Sequence, residues 1–308
     1  MSTIERALSR KKKSKRAPSA GHDGEEGEDN NGAVAPPNTP PTHKRPTSDR
    51  TDLVGVGFEP RGPLLKVDLH QLRRDSMYPT ANMEDRVSNE YRRIKRPLLS
   101  NATGRGVFQV ERGNLIMVTS AIQGEGKTFT SLNLALSIAR DPDFSVTLVD
   151  GDVARAHLTR VLGARQQPGL LDLLRDETLD PMDLIMPTNI ESLSVLTAGS
   201  RHALSEELLS SERMGRLVSQ LADPSPRHII LFDSPPILAA PDAVTLSHHV
   251  GQVVVVVKAS STLRHHVTTA VDQIDPDKAI NMVLNQALGG PGGDDYGGYY
   301  GEAYGGRQ

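Results

Sequence analysis

A glycine-containing stretch at residues 119–128, TSAIQGEGKT, carries the residue types that hold phosphate groups. Gly124 and Gly126 would let backbone N–H groups turn inward around a phosphate. Lys127 is placed for the β- and γ-phosphates, and the Thr128 hydroxyl is placed for Mg²⁺. The stretch follows the apolar run NLIMVTS and precedes a helical pattern. This strand–loop–helix context predicts a nucleotide site rather than an ordinary glycine turn.

Carboxylates follow two other apolar runs. SVTLVDGDVAR places Asp150 at the end of one run and Asp152 two residues later, and HIILFD ends in Asp233. The carboxyl ends of parallel strands form the edge where α/β proteins bind ligands. An aspartate at such a position can also cap a helix, so Asp152 alone would be ambiguous. Together with Thr128, the three carboxylates predict a Mg²⁺ site, because Mg²⁺ prefers a few oxygen ligands plus phosphates and water.

The elements that would position these side chains alternate between strand and helix from residue 113 to residue 285. Short, β-branched apolar runs are typical of strands that are covered on both faces. The pattern predicts an α/β fold of the P-loop NTPase type, with a mostly parallel sheet and helices on both faces. Predicted strands are NLIMVTS, SVTLVD, LSVLTAG (193–199), HIILFD, QVVVVVK and INMVLN, and predicted helices are 127–140, about 155–175, 205–222, 240–248 and 262–274.

The flanking regions differ in composition from this central part. The first 55 residues combine charged runs with proline and bury too little apolar surface to fold, so we expect disorder. Within them, STIERALSR fits either a frayed turn or a short docking helix with a capping box. The run LLKVDLHQ at 64–71 could form a strand. We predict four regions: 1–55 disordered, 56–82 an extended linker with a possible strand, 83–286 a folded domain, and 287–308 a flexible Tyr/Gly-rich tail.

Bulk composition excludes several classes of protein. The net charge is −3, so we expect no nucleic-acid partner. Cysteine is absent, which excludes disulfides and thiolate metal sites and fits a reducing cytoplasm. No apolar run reaches membrane-spanning length, and the N-terminus lacks the apolar segment of a secretory signal. We therefore expect a cytoplasmic location.

Three motifs together resemble those of a known family. The phosphate loop, TLVDGDVAR and IILFDSPP look like the Walker A, Walker A′ and Walker B motifs of bacterial tyrosine kinases, the BY-kinases. This family is related to the ParA/MinD-type ATPases, and the resemblance covers residues 83–308. The stretches EYRRIKRPLLSNA, GLLDLL, FDSPPIL and GQVVVVVKAS look most like exopolysaccharide tyrosine autokinases found with exosortase systems.

The resemblance implies a role for each matching position. Asp150 would assist the tyrosine hydroxyl, and Asp152 and Asp233 would hold the metal. Arg155 follows the family spacing Asp-x-Asp-x-x-Arg, but the usual proline after it is Ala156 here. Lys127 and the three aspartates would be the catalytic set. The resemblance assigns to the nucleotide Gly124, Glu125, Gly126, Lys127, Thr128, Phe129, Arg155 and, near adenine, Asn285.

Two further features bear on whether the phosphate goes to protein or to water. Ile122 and Gln123 stand where ParA/MinD-type ATPases have a signature lysine and a glycine, which argues against such an ATPase. Four of the six tyrosines lie in the last thirteen residues, where BY-kinases place their autophosphorylation cluster. A low-complexity tail without phosphate chemistry is the alternative interpretation. The four tyrosines are Tyr296, Tyr299, Tyr300 and Tyr304.

A charged helical pattern precedes the phosphate loop. Glu90, Arg93 and Arg96 match the family pattern E-x-x-R-x-x-R and would lie along one helical face. In the family this helix closes a ring of subunits, whereas an isolated pattern of this kind would suit a solvated helix.

The resemblance therefore implies an ATP- and Mg²⁺-dependent protein-tyrosine autokinase that phosphorylates tail tyrosines in a homo-oligomeric ring and regulates exopolysaccharide polymerisation or export. The alternative function is an ATPase that positions a membrane complex. Implied partners are other copies of the chain, a chain-length-determinant type polysaccharide co-polymerase that recruits the protein to the inner face of the membrane, and a cognate tyrosine phosphatase.

Overall fold

The computed structural model of the protein describes residues 58–287, apart from positions 108, 204, 223 and 224. The predictions of disorder in residues 1–55, of a short helix near the N-terminus and of phosphorylated tail tyrosines lie outside the described residues.

A seven-stranded sheet forms the centre of the described part. Its strand order is β3-β4-β2-β5-β1-β6-β7, and only the β3–β4 pair is antiparallel. The predicted mostly parallel sheet is confirmed. The order reverses beside β1, which pairs with β5 on one side and β6 on the other. The strands are β1 Leu115–Ser120, β2 Ser145–Asp150, β3 Met186–Pro187, β4 Leu193–Leu196, β5 His228–Asp233, β6 Gln252–Lys258 and β7 Ala279–Asn285.

Helices connect the strands and cover both faces of the sheet. The described helices are α1 Leu69–Arg74, α2 Glu84–Ala102, α3 Lys127–Ala139, α4 His157–Val161, α5 Leu170–Arg175, α6 Pro181–Leu184, α7 Ser205–Leu209, α8 Glu212–Ala222, α9 Pro241–His249 and α10 Arg264–Asp272. A 3₁₀ turn at Ala81–Met83 precedes α2.

Two predicted helices are wrong as single elements. The helix predicted over 155–175 is two short helices, α4 and α5. Gly163, which has a left-handed φ of 72°, follows α4, and Pro168 precedes α5. Proline removes a backbone donor and glycine favours a helix end, so the pattern cannot continue through these residues. The helix predicted over 205–222 is likewise divided into α7 and α8.

Alternation along the strands builds two apolar layers. Met117 and Phe232 face one side of the sheet, while their neighbours Val118 and Leu231 face the other, and all four are fully buried. Successive side chains of a strand point to opposite faces, so each central strand contributes to both layers. The first layer lies under α5 and α8, and the second lies under α2 and α3. The carboxyl ends of the strands remain free to hold a site.

Residues 58–82 differ from the predicted linker. The strand expected at 64–71 is reduced to an isolated bridge between Leu65 and Thr188. Helix α1 follows instead, and the Asp68 side chain caps it by accepting hydrogen bonds from two backbone N–H groups. A carboxylate at this position satisfies donors that have no partner within the helix.

The same segment contributes to the core. Val67, Leu72, Met77 and Tyr78 are each at most 7% exposed and belong to the layer under α2 and α3. The Asn133 amide of α3 donates to the Met77 carbonyl at 3.0 Å. A linker would not bury these side chains, so the folded unit begins upstream of Glu84.

Residues near Gly62 also lie along one edge of the sheet. The Gly62 N–H donates to the Ile185 carbonyl at 3.0 Å, and the Leu65 N–H donates to the Pro187 carbonyl at 2.8 Å. These bonds occupy one backbone carbonyl of β3 and the carbonyl of the residue just before it. At the opposite edge, β7 pairs only with β6 within the described part of the chain.

Candidate active site

The phosphate loop connects β1 to α3 at the carboxyl edge of the sheet. Gly124 and Gly126 have φ values of 83° and 93°. Side chains rarely adopt this left-handed region, which is why glycine suits both positions. Helix α3 begins at Lys127, directly after Gly126. The loop therefore presents backbone N–H groups and a helix N-terminus to the same space, an arrangement that suits phosphate.

Glu125 has its side chain turned into the protein. It is 1% exposed, and its carboxylate accepts hydrogen bonds from the Ile122 N–H at 2.7 Å and from the Thr262 hydroxyl. The sequence predicted a nucleotide contact for Glu125. In the structure its side chain supports the loop internally, and the nucleotide contact stays a prediction.

Asn285, predicted to lie near adenine, contacts the same loop. Its side-chain amide donates to the Glu125 carbonyl at 2.9 Å. A Cβ atom at Gly126 would lie 2.0 Å from that amide nitrogen, so the approach requires glycine. Phe129, also predicted at the nucleotide, packs partly buried against the apolar layer under α2 and α3.

Lys127 lies among carboxylates in a largely buried position. Burial lowers the pKa of its ammonium group, and the charges of Asp233, Asp152 and Glu125 oppose that change. The lysine and two of the predicted metal ligands are thus close enough to interact. A buried cation beside carboxylates is suited to receive the negative charge of phosphates.

Asp150 ends β2 with one oxygen bound and the other free. Its Oδ2 accepts hydrogen bonds from the N–H and the hydroxyl of Thr159, both at 2.7 Å. Its Oδ1 is buried and has no hydrogen-bond partner among the described residues. Burial raises the pKa of Asp150 to about 6, against the two Thr159 bonds that lower it.

Asp233 ends β5, and its Cα is paired with that of Asp150 across the two strands. Its Oδ1 accepts a hydrogen bond from the Ser131 hydroxyl at 3.0 Å, and its Oδ2 is buried without a partner among the described residues. Burial raises the pKa of Asp233 to about 7, and the charge of Asp150 raises it further, whereas Thr128, Ser131 and Lys127 act in the opposite direction.

These carboxylates fit a divalent cation. Two buried oxygens without partners among the described residues are costly, and a cation at this edge would favour the ionised forms of both carboxylates. Among the residues that the structure describes, no group of three or more His, Asp or Glu side chains could hold a metal ion by itself. A Mg²⁺ ion here would therefore take its other ligands from phosphate, water and the Thr128 hydroxyl.

The turn after Asp152 brings Arg155 over the phosphate loop. The Arg155 guanidinium donates to the Gln123 side chain at 2.6 Å. Ala156 follows in the left-handed region with a φ of 45°, and its N–H donates to the Asp152 carbonyl at 2.6 Å. Proline fixes φ near −65° and has no N–H, so the proline usual in the family could not adopt this turn.

Sequence reasoning missed several side chains that support the site. Thr159 holds Asp150, Ser131 holds Asp233, and Thr262 holds Glu125. Ser131 lies one helical turn beyond Lys127 on α3, so a helical projection of α3 could have found it. Neither of the other two belongs to a recognisable motif.

The charged face of α2 points away from the core. Glu90, Arg93 and Arg96 are exposed, while Tyr91 and Leu98 on the same helix are buried. Glu90 pairs with Arg86 one turn earlier, at 3.3 Å. Neither Arg93 nor Arg96 has an ion-pair or hydrogen-bond partner in the described part of the chain.

Of the helices that the structure describes, none combines the length and the apolar character needed to cross a bilayer.

Comparison with known proteins finds relatives that are named tyrosine kinases. Tyrosine-protein kinase Ptk of Acinetobacter johnsonii is 28% identical over 239 residues, which are 76% of this chain and 31% of Ptk. Tyrosine-protein kinase Wzc of Salmonella typhi is 30% identical over 192 residues, which are 61% of this chain and 26% of Wzc. No family model matches the chain.

A solved structure, the kinase domain of VpsO, is 30% identical with a TM-score of 0.51, and the match covers 65% of this chain and 98% of that domain. The chain thus spans less than a third of Ptk and of Wzc but nearly all of the VpsO kinase domain.

Proposed function

Because the chain belongs to the bacterial tyrosine kinase family, we propose that it is an ATP- and Mg²⁺-dependent protein-tyrosine autokinase. One observation carries the proposal: Asp150 and Asp233, each with a buried oxygen that has no partner among the described residues, end adjacent strands next to a phosphate loop and a buried lysine. In this arrangement a triphosphate, a metal ion and a proton acceptor can share one edge of the sheet.

Different residues of the site have separate roles in binding the phosphates and the metal ion. The loop N–H groups and Lys127 bind the β- and γ-phosphates and orient them at the start of α3. Thr128, Asp152 and Asp233 would hold Mg²⁺, which would neutralise negative charge on the phosphates. Lys127, Asp152 and Asp233 are buried, so their electrostatic interactions are stronger than they would be in water.

Transfer requires an acceptor hydroxyl in line with the γ-phosphate. The phenol oxygen forms a bond to the γ-phosphorus while the bond between that phosphorus and the β–γ bridging oxygen breaks, so ADP leaves. Asp150 accepts the phenol proton, since its free Oδ1 can take a hydrogen bond and its pKa of about 6 leaves it mostly ionised at neutral pH.

We assign the acceptors to the four tail tyrosines, which lie outside the described residues. A glycine-rich tether of ten to eighteen residues spans roughly 17 to 25 Å, which suits the site of an adjacent subunit. The exposed Glu90, Arg93 and Arg96 support a ring contact, because the two arginines can fork to carboxylates or carbonyls across an interface.

Phosphates on the tail would loosen the ring. Each phosphate adds about −1.5 to −2 charges to a tail that already contains Asp294, Asp295 and Glu302. We place the cycle between ring and free subunits in the regulation of exopolysaccharide polymerisation or export. A chain-length-determinant type co-polymerase would recruit the cytoplasmic protein to the membrane, and a cognate phosphatase would reset it. Sizing the protein before and after phosphatase treatment tests the cycle, and identical oligomers would contradict it.

An ATPase that positions a membrane complex is the alternative. The names of the relatives favour the kinase, and Ile122, which packs against the core, replaces the signature lysine of such ATPases. Both functions predict nucleotide hydrolysis or transfer that depends on Lys127, so only the fate of the phosphate separates them.

Incubation with γ-labelled ATP and Mg²⁺, followed by mapping of the label, tests the proposal. We expect label on the tail tyrosines, none in Lys127→Met, and none in a chain that ends at Gly293. Free phosphate without labelled protein would favour the ATPase. Undiminished phosphotyrosine in the shortened chain would contradict the assignment of the tail.

A further inference from the structure

Glu125 connects the phosphate loop to two distant segments through its side chain. One carboxylate oxygen accepts a hydrogen bond from the Ile122 N–H, inside the loop, at 2.7 Å. The other accepts from the Thr262 hydroxyl and, at 3.4 Å, from the Lys258 N–H at the end of β6. The loop is thereby tied to the end of β6 and to the turn before α10.

The backbone of the same residue is held as well. The Asn285 amide, at the end of β7, donates to the Glu125 carbonyl at 2.9 Å, and it reaches that carbonyl over the bare Cα of Gly126. Three segments therefore converge on one loop residue.

A carboxylate at this point has an electrostatic cost. Glu125 is 1% exposed, and its charge acts on Lys127, the residue placed to receive phosphate. A buried anion beside an anion-binding loop opposes phosphate binding and is expensive to desolvate. A carboxylate at residue 125 therefore needs a structural role that compensates for this cost.

Hydrogen-bond chemistry supplies that role. An ionised carboxylate is acceptor-only on both oxygens, so it can satisfy donors on two sides at once. A glutamine offers one acceptor oxygen and would present an NH₂ group to either Ile122 or Thr262. Bonds of N–H and O–H donors to a carboxylate are about twice as strong as neutral ones.

We infer that Glu125 is a positioning residue, which fixes the phosphate loop in its binding shape before the nucleotide arrives. This inference deepens the proposed function, on which its identification of ATP as the ligand rests. Because Asn285 ends the strand that leads into the tail, the same contact links the shape of the loop to the segment that carries the acceptor tyrosines.

The test compares Glu125→Gln and Thr262→Val with a matched surface control, Glu177→Gln. Glu177 is exposed and lies in the turn after α5, outside the candidate site. Binding is titrated with Mg²⁺ and a fluorescent ATP analogue, and exchange of the Ile122 amide hydrogen is followed in the nucleotide-free protein. Labelling kinetics give KM for ATP and kcat separately.

For Glu125→Gln we expect the Kd of the analogue to rise about tenfold, which corresponds to about 1.4 kcal/mol of lost binding free energy. KM for ATP should rise by a similar factor, while kcat at saturating ATP stays within about twofold, because binding lost equally in ground and transition states leaves kcat unchanged. The Ile122 amide should exchange faster. Thr262→Val should show a smaller change of the same kind, and Glu177→Gln none.

Unchanged affinity together with unchanged Ile122 exchange in Glu125→Gln would overturn the inference. If that variant does not fold, the same two measurements on Thr262→Val decide. Should the wild-type protein bind the analogue but label no tyrosine, the proposed function fails, whereas affinity and amide exchange still judge the role of Glu125.

Discussion

Replacing Gly126 with alanine tests how the phosphate loop is held, and Gly124 provides a matched control. Both glycines have left-handed backbone conformations, with φ values of 93° and 83°. They differ in their surroundings. A Cβ atom at Gly126 would lie 2.0 Å from the Asn285 amide nitrogen, whereas a Cβ atom at Gly124 would meet no atom of the described residues within 4 Å.

The expected magnitudes follow from these contacts. An alanine in the left-handed region costs about 1–2 kcal/mol of unfolding free energy at either position. At Gly126 the alanine must also displace the Asn285 side chain, which loses its bond to the Glu125 carbonyl. That bond contributes about 1 kcal/mol. Gly126→Ala should therefore be less stable than Gly124→Ala by about 1 kcal/mol.

A double substitution isolates the contact. Asn285→Ala alone should cost about 1 kcal/mol, and in its presence Gly126→Ala should cost no more than Gly124→Ala. Urea unfolding of the nucleotide-free proteins measures all four variants. Equal losses for the two single glycine variants, or additive losses in the double variant, would refute the contact between Asn285 and the loop.

Three further predictions concern other parts of the molecule. Burial raises the pKa values of Asp150 and Asp233 to about 6 and about 7, so the nucleotide-free protein should lose stability as pH rises from about 4 through about 7. In urea unfolding, Asp233→Asn should accordingly be more stable than wild type near pH 8 and about equally stable near pH 4. A difference in unfolding free energy that does not change between pH 4 and pH 8 would contradict the raised pKa of Asp233. Ala156→Gly should raise the free energy of unfolding by about 1 kcal/mol, because glycine adopts a left-handed φ without strain. Ala156→Pro should lower it by about 2–3 kcal/mol, because proline cannot adopt this φ and lacks the N–H that donates to Asp152. Thermal unfolding measures both changes. Leu72→Ala should cost about 2–5 kcal/mol, while Leu64→Ala, at a position that is 70% exposed, should change the unfolding free energy by less than about 0.5 kcal/mol; equal effects in calorimetry would show that α1 is not part of the folded unit.

The strands and the phosphate loop could be predicted because their signals are local. A buried parallel strand is a short apolar run, and the run that ends in Asp150 or Asp233 fixes where each carboxylate lies on the sheet. Since the carboxyl ends of parallel strands meet at one edge, sequence order was enough to bring these residues together.

The supports of the site could not be predicted in the same way. Thr262 is 137 residues from Glu125 along the chain, and only the tertiary fold brings the two side chains together. Thr159 is nine residues from Asp150, but its position depends on the left-handed turn at Ala156. Nothing in the residue type of an alanine indicates such a turn, because left-handed conformations favour glycine.

The segment before α2 was misread for a related reason. Its buried side chains are separated by charged residues and follow neither the period of a strand nor that of a helix. Leu72 and Met77 become part of the core only because the sheet and α3 already provide a surface for them. Local periodicity carries no information about burial that is decided by packing against another element.

The two edges of the sheet differ in whether their backbone groups are available for further strand pairing. At the β3 edge, the backbone N–H groups of Gly62 and Leu65 donate hydrogen bonds. The outer backbone of β7 has no such cover among the described residues, and the Met282 and Leu284 side chains of this strand are 59% and 64% exposed. Within the described part of the chain, β7 is therefore the edge at which an incoming extended peptide could lengthen the sheet. Any such addition would also constrain the chain as it leaves Asn285, at the root of the tyrosine-bearing terminus.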